Sequence, residues 1–142
     1  MNIYFDMDGT IVNLYGVENW LEDLLHEDVR PYKIARPLIK LQPLARCLNK
    51  LIAEGHTINI ISWTSRGGSL EYETAIKEAK INWLKKHLAS VRFEKIIILP
   101  YGTPKHYFGD GILFDDEEAN REAWGENAFS EKEIFEILRG LY

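Results

Sequence analysis

A three-layer α/β fold, a parallel sheet with helices on both faces and a small cap inserted after the first strand, is predicted by three observations. Short continuous apolar runs recur along the 142-residue chain, as strands buried on both faces require. Between them apolar residues fall at helical spacing. The interval 13–42 is too long for one crossover loop, carries a helical pattern of its own at 17–27, and is then interrupted by Pro31 and Pro37, with Pro43 just beyond.

The elements follow in chain order. NIYF at 2–5 is the first strand. In the cap, Val17, Trp20, Leu21, Leu24 and Leu25 stand at i, i+3, i+4, i+7 and i+8. Leu44, Cys47, Leu48, Leu51 and Ile52 repeat that stripe and predict the next helix. TINII at 57–61 is the second strand, and Tyr72, Ile76, Ala79 and Trp83 mark the helix after it. KIIIL at 95–99 and GILF at 111–114 are the third and fourth strands. The stretch SEKE at 130–133 matches a capping box and opens a last helix carrying Ile134, Ile137 and Leu138. Strands separated by helices imply right-handed crossovers and a parallel sheet. The length and the absence of an internal repeat predict one domain, 1–142, with 13–42 as its cap.

Composition narrows the classes. With 46% hydrophobic and 27% charged residues the chain reads as globular. It has no run of ~18 apolar residues to cross a bilayer and no basic, apolar leader at Met1, so no membrane partner and a cytoplasmic location are expected. The lone Cys47 lies in a helical apolar stripe and is read as core. A net charge of -5 argues against a general nucleic-acid binder. Yet residues 29–53 hold no acidic residue, while Arg30, Lys33, Arg36, Lys40, Arg46 and Lys50 supply a local field that attracts anions.

Ligands of open parallel sheets bind outside the carboxyl ends of the strands, so the residues just past each strand are the candidates. The first strand ends in Asp6, Met7, Asp8, Gly9 and Thr10; the second in Ser62, Trp63, Thr64, Ser65 and Arg66. The third leads to Lys105, and the fourth ends in Asp115 and Asp116. Carboxylates at that density repel one another unless a cation compensates. An all-oxygen donor set calls for Mg²⁺, which keeps waters and pairs with phosphate. A hydroxyl and a lysine suit the other phosphoryl oxygens, and one aspartate can attack phosphorus while the other manages the leaving group's proton. The plain alternative for Asp6 and Asp8 is a turn at a strand end, which Asp-Gly favours.

These residues resemble the four motifs of the haloacid dehalogenase-like phosphohydrolases: DMDGT, the strand-terminal Ser62, Lys105, and LFDDEEAN, in order along nearly the whole chain. The short insert, SWTS and AKINWLKKHL look most like the small C-type 5'-nucleotidases, including the 5'(3')-deoxyribonucleotidases. The resemblance implies a Rossmann-like sheet and a Mg²⁺-dependent hydrolase that works through an aspartyl-phosphate. It implies Asp6 as nucleophile, Asp8 as general acid and then base, and Ser62 on the phosphoryl group. Thr64 takes the role of Ser62 if the second strand runs two residues longer. Lys105 would balance charge, with Lys95 and Lys132 as alternatives. Asp6, the carbonyl of Asp8 and Asp116 would hold the metal, with Asp115 behind them or in place of Asp116. Thr10 and Trp63 complete the candidate phosphate contacts.

The expected substrate is a small phosphate, with a nucleotide favoured because Trp63 and the cap residues Tyr15, Trp20 and Tyr32 offer faces on which a base can stack. Those aromatics equally suit packing of the cap. Two other readings stand beside this one. A phosphatase acting on nucleic-acid ends or a phosphoprotein would need a wide, basic cleft. A non-catalytic phosphate-binding regulatory domain would have no use for the Asp6 and Asp8 pair.

Overall fold

The computed structural model describes residues 1–142. β1 (Asn2–Phe5) is followed by β2 (Val12–Asn13), the helices α1 (Trp20–Leu25) and α2 (Arg30–Ile34), and β3 (Arg36–Pro37). Then come α3 (Leu41–Ala53), β4 (Thr57–Trp63), α4 (Leu70–His87) and β5 (Lys95–Leu99). β6 (Ile112–Phe114), α5 (Glu118–Trp124), β7 (Ala128–Phe129) and α6 (Ile134–Gly140) complete the chain. The five long-sheet strands lie in the order β5-β4-β1-β6-β7, all parallel, which makes a Rossmann-like three-layer α/β fold.

Strand alternation decides what each face buries. Ile3 and Phe5 of β1, Ile58 and Ile60 of β4, and Ile112 and Phe114 of β6 face one side and pack with Leu44, Cys47, Leu48 and Leu51 of α3, Trp83 and Leu84 of α4, and Ile134 and Leu138 of α6. Cys47 is thus core, as its place in the stripe predicts. Tyr4, Ile61 and Leu113 face the other side, where Ile97, Leu99, Trp124 of α5 and Ala128 cover them. Tyr4 meets Trp124 edge-on with centroids 5.4 Å apart.

The insert has a neck and a body. β2 and β3 pair antiparallel, Val12 opposite Pro37 and Asn13 opposite Arg36, and so close the base of the loop. The body docks on the first half of α4. Leu14 and Tyr32 pack against Tyr72, Ile76 and Ala79, the Tyr72 hydroxyl donates to the Asp28 carbonyl at 2.8 Å, and Glu27 accepts from the backbone and hydroxyl of Ser69, the N-cap of α4.

Several boundaries differ from the sequence reading, each for a local reason. The single cap helix expected at 17–27 is a 3-10 turn at Leu14–Gly16 followed by α1, because Asn19 (φ 64°) and Glu27 (φ 55°) adopt left-handed conformations that bracket the helix. Pro31 and Pro43 lie in the first turns of α2 and α3, where a missing N–H does no harm, so they start helices rather than merely ending them. β4 runs on to Trp63, two residues past the apolar run, because Ser62 and Trp63 keep pairing with Ile98 and Leu99. Gly111 precedes β6 instead of opening it. At φ 116° its missing Cβ leaves room for the carbonyl of Asn2. β7 and α5 carry too short an apolar pattern to be predicted. The Ser130 capping box is present: the Ser130 N–H donates to Glu133 Oε2 at 2.9 Å, through a 3-10 turn that continues into α6.

Candidate active site

Asp6 leaves β1 with its backbone still paired, N–H to the Phe114 carbonyl at 2.9 Å. The chain then turns sharply: the Met7 carbonyl accepts from the N–H groups of Thr10, Ile11 and Val12. Gly9 sits in that turn at φ 81°, and a Cβ there would overlap the Asp116 carboxylate, so glycine is what lets the two acidic segments approach. Thr10 ties them together. Its hydroxyl lies 3.1 Å from Asp6 Oδ2 and 3.3 Å from Asp116 Oδ1, and it accepts from the Asp116 N–H at 3.1 Å.

Lys105 arrives from a 3-10 turn at Lys105–Tyr107 and is 3% exposed. Its ammonium donates to Asp6 Oδ1 at 3.0 Å and to Asp115 Oδ2 at 2.7 Å. Asp115 is fully committed: Oδ2 also accepts from Asn120 Nδ2 and Oδ1 from the Glu117 N–H. Asp6, Asp115 and Asp116 each offer a carboxylate oxygen within 4.8 Å of the others, a set of hard donors that fits a divalent cation.

The electrostatics follow from that crowding. Burial pulls the Asp6 carboxyl upward, but Lys105, a hydrogen bond with Asp116, and Lys80 outweigh it, so Asp6 is held below the ordinary carboxylate range. Burial and the neighbouring Asp6 charge push Asp115 up to about 6 and Asp116 up to about 8. The three close carboxylates therefore share a proton, drawn most strongly to Asp116. Lys105 is held above its ordinary value because Asp6 and Asp115 overcome its burial.

Asp8 stands on the other side of the turn. Burial raises its carboxyl above the usual range, and the charge of Lys80 pulls it back. Lys80, on α4 and 2% exposed, donates 2.7 Å bonds to Asp8 Oδ2, to Ser62 Oγ and to the Trp63 carbonyl.

Above these groups lies a cavity of about 390 Å³. Its wall holds Asp6, Asp8, Thr64, Ser65, Arg66 and Lys105, and its roof is apolar: Leu14, Tyr15, Trp20, Leu21, Leu24, Leu25 and Tyr32 of the insert, with Trp63 and Tyr101 opposite. No residue of α1 is buried, and Leu21 and Leu25 are 54% and 75% exposed and face the cavity and solvent, while Leu24 also packs against the cluster of Leu14 and Tyr32. Two aromatic pairs frame the opening: Tyr15 edge-on to Trp20 at 4.9 Å, and Trp63 tilted on Tyr101 at 5.1 Å. The Trp63 indole donates to the Thr103 carbonyl at 2.8 Å, which fixes its ring.

The structure thus brings Asp6, Asp8, Thr64, Trp63 and Lys105 to one cavity, with Asp115 and Asp116 directly behind Asp6. No family model matches this chain, and no curated protein matches it. Ser62 departs from its expected place: with β4 running through Trp63 it is fully buried, off the cavity wall, and its hydroxyl accepts from Lys80. Thr64 occupies the strand exit instead, donating to Glu73 Oε1 at 3.2 Å. Thr10 also lies off the cavity wall and braces carboxylates. Lys95 begins the edge strand β5 and Lys132 lies in the 3-10 turn before α6, so neither reaches the cavity. None of the six basic residues between 29 and 53 lines the cavity; its cations are Arg66 and Lys105. Sequence reasoning put Ser65 at the strand exit without giving it a role, and it missed Lys80. Ser65 is 6% exposed on the wall, and its hydroxyl has no hydrogen-bond partner. Lys80 falls eight residues after Tyr72 on the buried stripe of α4, and a lysine at such a position is a legible signal.

Proposed function

We propose that the chain is a Mg²⁺-dependent phosphomonoester hydrolase of the haloacid dehalogenase-like kind, acting through an aspartyl-phosphate on a small substrate. The observation that carries this reading is the convergence of Asp6 and Asp8 on one cavity wall, with Lys105 bound to the first. A carboxylate held below its ordinary range is ready to attack phosphorus, and one held above it is suited to give a proton.

In this mechanism an Asp6 oxygen forms the bond to phosphorus as the ester P–O bond breaks, and Asp8 gives its proton to the departing oxygen. Water then attacks the aspartyl-phosphate, Asp8 takes a proton from that water, and the P–O bond to Asp6 breaks to release phosphate. Lys105 offsets the charge of the phosphoryl oxygens, and Thr64 on the cavity wall offers its hydroxyl to them. Asp6, Asp116 and the backbone carbonyl of Asp8 would hold Mg²⁺. When bound, the ion screens the charge between nucleophile and phosphate. Its donor set is supported by the gathered oxygens and by the proton on Asp116 that a cation would replace.

The roof supports a compact leaving group with a flat apolar face, a mononucleotide or similar, over a nucleic-acid end or a phosphoprotein, because an apolar cavity with Arg66 as its outer cation is not a wide basic cleft. A panel of nucleoside monophosphates, sugar phosphates, end-phosphorylated oligonucleotides and a phosphopeptide, assayed with Mg²⁺ and with chelator, tests it. Turnover of mononucleotides that stops with chelator or with Asp6→Asn is expected. No turnover on any of them would return the chain to the non-catalytic reading.

A further inference from the structure

Lys80 has no place in the mechanism above, yet its ammonium is buried and fully hydrogen-bonded. The ammonium is 2% exposed and has three hydrogens, all used: Asp8 Oδ2, Ser62 Oγ and the Trp63 carbonyl, each at 2.7 Å. The Tyr32 ring of the insert lies 5.4 Å from it. Asp8 lines the cavity and Lys80 does not, so the lysine reaches Asp8 from behind. Burying an ammonium so completely costs several kcal/mol unless its partners are well placed. An apolar residue at position 80, on the buried face that carries Tyr72, Ile76, Ala79 and Trp83, would have spared that cost.

We infer that Lys80 is a positioning residue for Asp8, fixing which carboxyl oxygen carries the transferable proton and turning it toward the leaving group. Oδ2 accepts from the ammonium, and the carbonyl-type oxygen of a carboxyl is the better acceptor, so this contact favours the proton on Oδ1. Oδ1 is the oxygen left for the transferable proton, on a side chain that lines the cavity. Ser62 and the Trp63 carbonyl, at the end of β4, hold the ammonium in turn, so the strand that presents Thr64 also sets the acid. The inference rests on the phosphatase reading and adds a second lysine, whose hydrogen bond goes to the acid Asp8 rather than to the nucleophile.

The test exploits leaving groups that differ in their need for a proton. Steady-state kinetics of the parent, Lys80→Met and Lys80→Arg are measured with p-nitrophenyl phosphate, whose phenolate leaves unaided, and with an alkyl phosphate such as a nucleoside 5'-monophosphate. For Lys80→Met the expected loss in kcat is roughly 10²–10⁴-fold on the alkyl ester, the usual share of a general acid, with a much smaller loss on the aryl ester and little change in KM. Lys80→Arg should recover part of the alkyl activity. In an Asp8→Asn background Lys80→Met should cost little more, because the two act as one unit. Equal losses on both esters would make Lys80 a structural prop and overturn the inference while leaving the phosphatase intact. If Lys80→Met does not fold, the ratio of the two losses in Lys80→Arg decides in the same way. A parent inactive on both esters overturns the phosphatase reading and this inference with it.

Discussion

The Lys105 ammonium lies 3.0 Å from Asp6 Oδ1, although the two residues are 99 positions apart and both are almost wholly buried. Such a pair is worth little beyond a well-packed apolar isostere, but removing one partner is expensive because the other is left charged and dry. Here two carboxylates, Asp6 and Asp115, depend on the same ammonium. Lys105→Met is therefore expected to destabilise the fold by about 3–5 kcal/mol. Urea titration at neutral pH in chelator measures it, and adding Mg²⁺ should return part of the loss. An unchanged midpoint would mean that the carboxylates find other compensation.

The proton on Asp116 gives stability a definite pH slope. Unfolded aspartates titrate near ~3.9, whereas Asp115 and Asp116 titrate at about 6 and about 8 in the fold. Between those values the folded chain binds more protons than the unfolded chain, so this contribution falls as pH rises from about 4 to 8. Asp6 acts oppositely, but its lowered pKa matters only at more acid pH. His87, lowered by burial, adds a rising term near its own titration, so the comparison is made against Asp116→Asn. Melting temperatures in chelator should fall more steeply with pH for the parent than for that variant, and Mg²⁺ should stabilise the parent more at pH 8 than at pH 5. A parent profile parallel to that of Asp116→Asn would remove the shared proton.

Asp115 and Asp116 are neighbours with different duties. Both Asp115 oxygens are occupied, by Lys105 and Asn120 on one and the Glu117 N–H on the other, while Asp116 is the more exposed carboxylate facing Asp6 and Thr10. Asp116→Ala should therefore weaken apparent Mg²⁺ affinity with a modest change in stability. Asp115→Ala should lower stability more and metal affinity less. Isothermal titration with Mg²⁺ alongside urea unfolding separates the two, and the reverse order would make Asp115 the direct ligand.

How much of this was legible in the sequence depends on where each signal is stored. Buried parallel strands are written locally, as continuous apolar runs, and 2–5 and 95–99 coincide with β1 and β5. The end of β4 is not, because Ser62 and Trp63 are held by pairing with Ile98 and Leu99, a contact between strands that no window along the chain contains. That difference moves the exit hydroxyl from Ser62 to Thr64. The apolar face of α1 was readable as a stripe but not as a cavity roof, since periodicity says which residues share a face and nothing about what the face meets. Lys80 is the opposite case: its helical position marked it as inward-facing, but its partner Asp8 lies 72 residues away.

The basic run between 29 and 53 predicted a field drawing anions to the site, and its placement narrows what that field can do. Lys33 lines a groove between α2 and α4, Arg36 sits in the neck strand β3, Lys40 precedes α3, and Arg30 is paired with Asp23 at 2.9 Å. Arg66, by contrast, stands on the cavity wall beside Thr64. Attraction through solvent decays over ~10 Å at 0.1 M salt and ~3 Å at 1 M, so charges off the wall act weakly and only at low ionic strength. Arg66→Ala is therefore expected to raise KM for a mononucleotide, to leave kcat nearly unchanged, and to lose most of the salt dependence of kcat/KM. The triple variant Lys33→Ala, Arg36→Ala, Lys40→Ala should keep a slope close to the parent's on the mononucleotide. An end-phosphorylated oligonucleotide, long enough to meet several charges at once, should show the steeper slope in the parent if the basic run contributes at all. Measuring kcat/KM against ionic strength for both substrates and both variants decides the matter. A triple variant that flattens the mononucleotide slope while Arg66→Ala does not would hand the steering role back to the basic run.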